Sequence, residues 1–74
     1  HMADDLNKFY LRIEVYNGAQ DKVYNTVCPR SIIDKFTLYF VNNYPRDHYF
    51  KMYDLENNLR YDSRILKGDY AQSV

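Results

Sequence analysis

The feature that most constrains the fold of this chain is a strict alternation of apolar and polar side chains between residues 9 and 16. Successive side chains of a β-strand point to opposite faces of the sheet, so the alternation predicts a strand with one buried side. A strand of this kind is typical of an antiparallel sheet covered on one face only. The buried side would carry Phe9, Leu11, Ile13 and Val15, and the other side Tyr10, Arg12, Glu14 and Tyr16.

The turn-forming residues 17–21, NGAQD, predict a hairpin between this strand and a second strand. A five-residue loop keeps the apolar sides of both strands together, because it places Val15 opposite Val23 and Leu11 opposite Val27. The outer side of the second strand would then carry Tyr24 and Thr26.

A helix is predicted after Cys28-Pro29, since proline donates no hydrogen bond to a ladder and ends the second strand there. Ser31 and Asp34 form a variant of the helix capping box, which indicates a helix from about residue 32 to residue 43. Tyr44-Pro45 would end it. At 100° per residue one apolar stripe contains Ile32, Ile33, Phe36, Tyr39 and Phe40.

Two alternatives stay open in this segment. Residues 36–41, FTLYFV, are rich in β-forming side chains, so a strand competes with the helix. Leu38 and Val41 lie away from the apolar stripe and form either a patch for self-association or a partner, or a surface covered by Tyr70 and Val74 of the tail.

The remainder of the chain predicts a second hairpin, with strands at 48–55 and 59–66. A turn on Asn57-Asn58 pairs Phe50 with Ile65 and Met52 with Ser63 on the buried side. A slip by one residue would invert one strand and bury Tyr49, Tyr53 and Tyr61 instead. In the chosen register the outer side carries Tyr49, Lys51, Tyr53, Arg60, Asp62 and Arg64.

Two hairpins on either side of one helix predict a two-layer ββαββ fold of the α+β class, an antiparallel sheet with the helix across one face. A chain of 74 residues has room for one core, which we place in a single domain at 9–66. Residues 1–8 would be an N-terminal segment, in which His1 resembles a cloning remnant before a native Met2, and residues 67–74 a mobile tail.

Composition excludes several partner classes. Ten basic and ten acidic residues give zero net charge, which argues against binding to nucleic acid or to a membrane surface. No run approaches the roughly 18 apolar residues of a membrane span. A single cysteine, Cys28, cannot form an internal disulfide and fits a reducing cytoplasm.

Catalytic and cofactor sites are not indicated. The one nucleophile with a base to pair with is Cys28, with His48 and Asp47, and a cysteine before proline at a strand end is more typical of a buried thiol. Two glycines cannot build a phosphate-binding loop, and Asp4-Asp5 is a solvated pair. We therefore expect no enzyme, no metal and no cofactor.

Tyrosine is the feature that stands out, with nine residues in 74. Tyrosine and arginine dominate the energetics of protein interfaces, because each combines a large contact area with a polar tip. A single tyrosine on a strand more often only covers sheet surface, whereas several on one face indicate a docking surface. The partner-binding residues expected on the face opposite the helix are Tyr10, Arg12, Tyr16, Tyr24, Tyr49, Lys51, Tyr53, Arg60 and Arg64.

Two functions use such a face. The first is binding of another protein, on the face itself or by strand addition to a sheet edge. The second is binding of single-stranded nucleic acid through bases stacked on the aromatic rings. Zero net charge and the absence of a Lys/Arg-Gly-aromatic motif favour the first. A cysteine-dependent enzyme ranks last.

The chain from Met2 to Val74, rich in tyrosine, uncharged overall and without catalytic motifs, resembles the very small phage-encoded transcription regulators that bind host RNA polymerase, as in a lytic phage of Xanthomonas. The resemblance covers the whole chain and rests on length and character. It implies a monomer in the cytoplasm of the bacterial host that docks on the N-terminal part of the polymerase β′ subunit. It further implies inhibition of sigma-dependent initiation and antitermination. It assigns no site residues.

Overall fold

The computed structural model describes residues 2–65 of the chain, with side chains from residue 4 onward. The four strands are β1 (Tyr10–Tyr16), β2 (Lys22–Pro29), β3 (Tyr49–Tyr53) and β4 (Leu59–Asp62). Two helices accompany them, α1 (Met2–Phe9) and α2 (Ile33–Asn43), and a 3-10 turn at Arg30–Ile32 leads into α2. All strand pairs are antiparallel, in the order β2-β1-β3-β4. The predicted α+β fold, with a hairpin on either side of a helix, is confirmed.

The core lies between α2 and one face of the sheet. The central strand β1 contributes Ile13 and Val15, which are fully buried. Phe36 and Phe40 of α2 meet the ring of Phe50 edge-on, with ring centroids 5.4 and 4.8 Å apart, a geometry that aromatic quadrupoles favour. The buried apolar side chains are Leu11, Ile13, Val15, Cys28, Phe40, Phe50 and Met52.

The helix at 33–43 settles the alternative at residues 36–41 in favour of a helix, but the apolar stripe is narrower than predicted. Ile33 and Phe36 pack against the core, whereas Ile32 and Tyr39 are exposed. The capping box prediction is wrong, because Ile32 is the N-cap residue and no side chain in the described part of the chain caps the helix. The preceding 3-10 turn places Ser31 outside the N-cap position. Leu38 and Val41 are exposed, and the tail residues expected to cover them lie outside the described part of the chain.

The register predicted for the first hairpin is wrong by one residue. Val15 pairs with Tyr24 rather than Val23, and Leu11 pairs with Cys28 rather than Val27. The five-residue loop is present, but the ladder has a bulge between Val15 and Tyr16, which adds one residue to β2 and inverts its faces. Tyr24 and Thr26 consequently share the face of α2.

The loop itself explains this bulge. The Asn17 side chain accepts hydrogen bonds from the backbone N–H groups of Ala19 and Asp21 at 2.9 and 3.0 Å, so the loop closes on a side chain. Gln20 adopts a left-handed conformation with φ of 69°. This closure starts β2 at Lys22, opposite Tyr16, and leaves Val23 as the inserted residue.

The second hairpin is displaced by two residues from its predicted register. Met52 pairs with Tyr61 rather than Ser63, and β4 ends at Asp62. The Asp54 carboxylate accepts hydrogen bonds from the backbone N–H groups of Glu56 and Asn58, both at 2.9 Å, so the turn closes around Asp54 rather than on Asn57-Asn58. A displacement by two residues keeps Tyr61, Asp62 and the β3 side chains on their expected faces. A bulge next to Tyr53 places Leu59 opposite Tyr53 and so moves Leu59 to the other face.

The N-terminal segment is helical, which the sequence did not predict, and Phe9 belongs to α1 rather than β1 and is 63% exposed. Asn7 anchors this helix. Its side-chain oxygen accepts a hydrogen bond from the Leu55 N–H at 2.6 Å, and its carbonyl accepts one from Arg30 Nε at 2.8 Å. Neither described helix has the length and apolar composition of a membrane span.

Candidate protein-binding face

The sheet face turned away from α2, here called the far face, carries the polar side chains of the two central strands. The alternation of β1 and β3 determines its membership, since their other side chains form the core. The far face comprises Tyr10, Arg12, Glu14 and Tyr16 of β1, Lys22, Asn25, Val27 and Pro29 of β2, Tyr49, Lys51 and Tyr53 of β3, and Leu59 and Asp62 of β4.

Aromatic rings and cations pair with one another across the far face. Tyr16 and Tyr49 are cross-strand neighbours whose rings stack, with centroids 5.1 Å apart and planes 12° apart. The guanidinium of Arg64 lies 4.1 Å from the centre of the Tyr49 ring, and Lys51 Nζ lies 5.4 Å from that of Tyr16. These contacts order the side chains before any partner arrives, which lowers the entropy cost of binding.

Glu14 is the centre of this arrangement. Although it lies on the face opposite the helix, it is only 6% exposed. Burial raises the pKa of its carboxyl, but hydrogen bonds from Tyr16, Lys22 and Arg12 outweigh that effect and lower the pKa to about 2. The hydrogen bond that the Tyr16 hydroxyl donates to Glu14, together with burial, raises the pKa of Tyr16. Glu14 therefore stays ionised and holds three donors in place.

A second buried carboxylate, Asp62, holds the edge of the far face. Arg64 binds it through two nitrogens, Nε at 3.1 Å and Nη2 at 2.8 Å. The hydrogen bonds from Arg64 lower the pKa of Asp62 against the opposing effect of burial. This pair positions the guanidinium over Tyr49, so Arg64 belongs to the site although it lies beyond β4.

The structure brings together most of the residues predicted for partner binding. Arg12 lies with its guanidinium 4.5 Å from the centre of the Tyr53 ring, and Tyr10 is exposed at the end of β1. Arg60 is the inserted residue of a bulge in β4 and lies 3.7 Å from Asp54 at the end of the hairpin. The residues gathered on or beside the far face are Tyr10, Arg12, Tyr16, Tyr49, Lys51, Tyr53 and Arg64.

Arg60, at the hairpin end, and Tyr24 are the two exceptions, and the assignment of Tyr24 to this face is corrected. Tyr24 lies on the helix side of β2, where it lines a cleft with Phe36, Tyr39 and Tyr44. The bulge at Val15/Tyr16 is the cause, because one inserted residue reverses the direction of every following β2 side chain.

The carboxylates are the site residues that the sequence analysis missed. Glu14 and Asp62 were placed on the outer side but given no role. A signal was present, since Arg12 and Tyr16 flank Glu14 at two-residue spacing and therefore share its face. No such spacing indicates the burial of Asp62.

The far face carries a surplus of positive charge although the chain is neutral overall. Its cations are Arg12, Lys22 and Lys51, joined by Arg64, and its carboxylates are Glu14 and Asp62. Four cations against two carboxylates leave two positive charges. A surface of this composition is complementary to an acidic protein surface.

The geometry around Cys28 gives little support to the hypothesis of a cysteine-dependent enzyme. Burial raises the pKa of the Cys28 thiol, and its sulfur donates to the carbonyl of Pro29 at 3.4 Å. His48 instead pairs with Asp47, Nδ1 to Oδ1, at 2.7 Å. Within residues 2–65 no three His, Cys, Asp or Glu side chains cluster closely enough to hold a metal ion.

Comparisons with family models, curated proteins and solved structures gave no match. The geometry of the far face and of the sheet edges is therefore the basis for a functional proposal.

Proposed function

We propose that this chain acts by binding another protein through the far face, without catalysis of its own. The observation that carries the proposal is the ordered set of aromatic and cationic side chains around buried Glu14. Such side chains supply most of the binding energy of protein interfaces, and ordering them in advance reduces what association costs.

We propose further that the partner is the RNA polymerase of a bacterial host, at the N-terminal part of its β′ subunit. The resemblance to small phage-encoded regulators of host transcription supports this partner. In this function the chain inhibits sigma-dependent initiation and promotes antitermination. It must bind core polymerase more tightly than the sigma-bound enzyme, since a ligand with equal affinity for both forms shifts neither population. The surplus charge of the far face favours an acidic contact surface.

Single-stranded nucleic acid is a weaker candidate for the same face. Base stacking needs free aromatic faces, and the rings of Tyr16, Tyr49 and Tyr53 already have a stacked ring or a cation as a partner. Bases stacked there would compete with these contacts.

The direct test is binding of the purified chain to immobilised bacterial core polymerase, to the sigma-bound enzyme and to a β′ N-terminal fragment. We expect binding to core polymerase and to the fragment, and weaker binding to the sigma-bound enzyme. Failure to bind any of the three would refute the polymerase assignment. Salt-sensitive binding of single-stranded oligonucleotides in its place would favour the nucleic-acid function.

Two matched pairs of variants test the face itself. Arg64→Ala should weaken binding by more than about 1 kcal/mol, whereas Arg46→Ala, the same change at an exposed residue of the α2–β3 loop, should not. Tyr53→Ala should weaken binding similarly, while Leu38→Ala on the exposed side of α2 should leave it unchanged. Equal affinities within both pairs would rule out the far face as the binding site.

A further inference from the structure

The free edge of β2 is the second surface of this molecule that is suited to binding. Within the sheet that residues 2–65 form, β2 is the outermost strand on its side and, at eight residues, the longest of the four. Its apolar side chains are unusually open, with Val23, Tyr24 and Val27 each about half exposed. Edge strands of this kind pair readily with an additional strand unless charge or proline prevents it.

The hydrogen bonds of the sheet determine which β2 groups face outward. The N–H of Ser63 donates to the carbonyl of Phe50 at 3.0 Å, so the backbone of Phe50 points toward β4. The backbone N–H and C=O groups of successive residues in a strand point to opposite sides. Those of Lys51 therefore point toward β1, where Lys51 pairs with Glu14.

The same alternation extends across β1 into β2. Since Glu14 bonds to β3, its neighbour Ile13 bonds to β2, where its partner is Thr26. Asn25 and Val27, which flank Thr26, consequently direct their backbone N–H and C=O groups away from the sheet. Two donors and two acceptors lie at the free edge in the spacing that an added strand requires.

A cleft of about 560 Å³ accompanies this edge on the helix side. Tyr24, Thr26 and Cys28 of β2 form its floor, and Phe36 and Tyr39 of α2 form its wall. Alternate side chains of a strand added to β2 would point toward this cleft, which is lined mainly by apolar groups. The edge therefore offers backbone hydrogen bonds together with a binding site for an apolar side chain.

The charges around the β2 edge indicate which kind of chain would bind there. Residues 23–29 contain no charged side chain, while Lys22 and Arg30 lie four residues before and after Thr26. In a two-fold pairing of two copies centred on Thr26, Lys22 of one copy would lie opposite Arg30 of the other, which disfavours self-association. Lys35 adds a third cation at the cleft, and Asp21 is the nearest carboxylate along the strand.

We propose that the β2 edge binds an extended segment of a partner protein, about five uncharged residues long and flanked by acidic residues. The segment adds a fifth strand beside Asn25 and Val27 and places an apolar side chain in the cleft. Its acidic flanks meet Lys35 and the cations at the two ends of the strand. This inference rests on the proposed function, since it specifies how a protein partner is held.

Selection from a library of random nine-residue peptides displayed on phage tests the proposal without any assumption about the polymerase. We expect enriched peptides with a β-branched or aromatic centre and with Asp or Glu near the ends. Enrichment of basic peptides, or of none, would overturn the proposal.

Backbone recognition is tested with the selected peptide and two variants at one position. Val27→Pro removes an outward N–H without removing a hydrogen bond to β1, and should weaken peptide binding about tenfold or more. Val27→Thr keeps the N–H and the β-branched side chain at a position that is 54% exposed, and should bind within about threefold of the unaltered chain. Asn25→Pro repeats the experiment should Val27→Pro fail to fold, which circular dichroism reports. Equal binding by the proline and threonine variants would refute strand addition.

Charge selection is tested at Lys35, which makes no ion pair among residues 2–65. Lys35→Glu should weaken binding of the acidic peptide about fivefold, and Lys35→Gln less, with both effects reduced at high salt. An unchanged affinity in Lys35→Glu would contradict the acidic flanks.

Sedimentation of the chain alone over a range of concentrations tests the second copy as occupant. A dimer that Val27→Pro abolishes would assign the edge to self-association and overturn the proposal. Peptide binding that depends on Val27 but occurs without polymerase binding would leave the edge site standing and remove only the polymerase assignment. Polymerase binding that Val27→Pro does not affect would leave the polymerase assignment standing and remove the edge site.

Discussion

Different interactions stabilise the two faces of the sheet, although the side chains of both faces alternate along the same strands. Beneath α2 the side chains of Ile13 and Val15 are removed entirely from water, and their stabilisation is the hydrophobic effect and close packing. On the far face Glu14 is nearly as buried, yet it is a carboxylate surrounded by donors.

The difference shows how a very small domain can use both faces of one sheet. Apolar burial does not depend on pH and is not screened by salt, whereas the far face depends on the charge states of Glu14 and of the cations around it. The helix side therefore provides stability under all mild conditions. The far face adds stability that is specific to conditions in which its carboxylates are ionised.

The largest effect is expected from a cavity in the helix-side core. Ile13→Ala should destabilise the fold by about 3 to 4 kcal/mol, because the side chain is completely buried in the central strand. Urea unfolding measures the loss, which should be the same at pH 4 and pH 7. Leu38→Ala, at an exposed position of α2, is the control and should change stability by less than about 0.5 kcal/mol.

Glu14 should produce the next largest effect, and one that depends on pH. Its pKa is about 2 in the folded protein against 4.5 as the ordinary value, so its ionisation contributes about 3 kcal/mol at neutral pH. A lowered folded pKa gives stability that is present above pH 4.5 and is lost as the pH falls toward 2. Unfolding free energies between pH 7 and pH 2 should decline over that window.

Glu14→Gln is the matched variant for this titration. It should be less stable than the parent chain at pH 7, and the gap should narrow as the pH approaches 2, because the parent chain then loses the same charge. A constant gap across the range would show that the Glu14 charge contributes nothing to folding.

A smaller coupling is expected between the stacked rings of Tyr16 and Tyr49. A double-mutant cycle with Tyr16→Leu and Tyr49→Leu should give an interaction energy of about 1 kcal/mol beyond the separate losses. The same cycle between Tyr16 and Tyr39, which lies on α2, should give zero within error. Coupling energies of similar size in both cycles would mean that the far face has no pairwise organisation.

The smallest effect is expected at Lys51. Lys51→Gln removes a cation 5.4 Å from the centre of the Tyr16 ring and should cost roughly 0.5 kcal/mol at low salt. The cost should fall further at 1 M salt, whereas the cost of Ile13→Ala should not fall. Equal salt dependence for the two variants would remove the distinction between the two faces.

The sequence predicts the faces of β1 well because its alternation is unambiguous. Its apolar positions carry aliphatic side chains from residue 11 to residue 15, and its other positions are charged or tyrosine. β2 lacks such a contrast, since Val23, Tyr24, Thr26 and Val27 suit either face of a half-exposed edge strand. Only the closure of the loop by Asn17, which a hydrophobic pattern does not encode, decides the register.

The second hairpin has other pairs than predicted, yet the predicted faces hold for β3 and for Tyr61 and Asp62, because a displacement by two residues preserves the side-chain alternation. The predicted far-face residues of β3 therefore lie where they were expected. Neither the ring stacking nor the burial of Glu14 could be predicted, since both depend on which residues of β1 and β3 become neighbours. That pairing joins segments more than thirty residues apart.

The strand order has a consequence for the way this chain is made. β1 occupies the middle of the sheet, but its second neighbour, β3, is translated only after the whole of α2. Until residue 53 has left the ribosome, the nascent first hairpin has β1 open along one side and the apolar residues of α2 without a complete surface to pack on. Ribosome-stalled chains whose emerged part ends before β3 should accordingly be cut by protease, and chains carried on a C-terminal linker long enough for β4 to emerge should resist it.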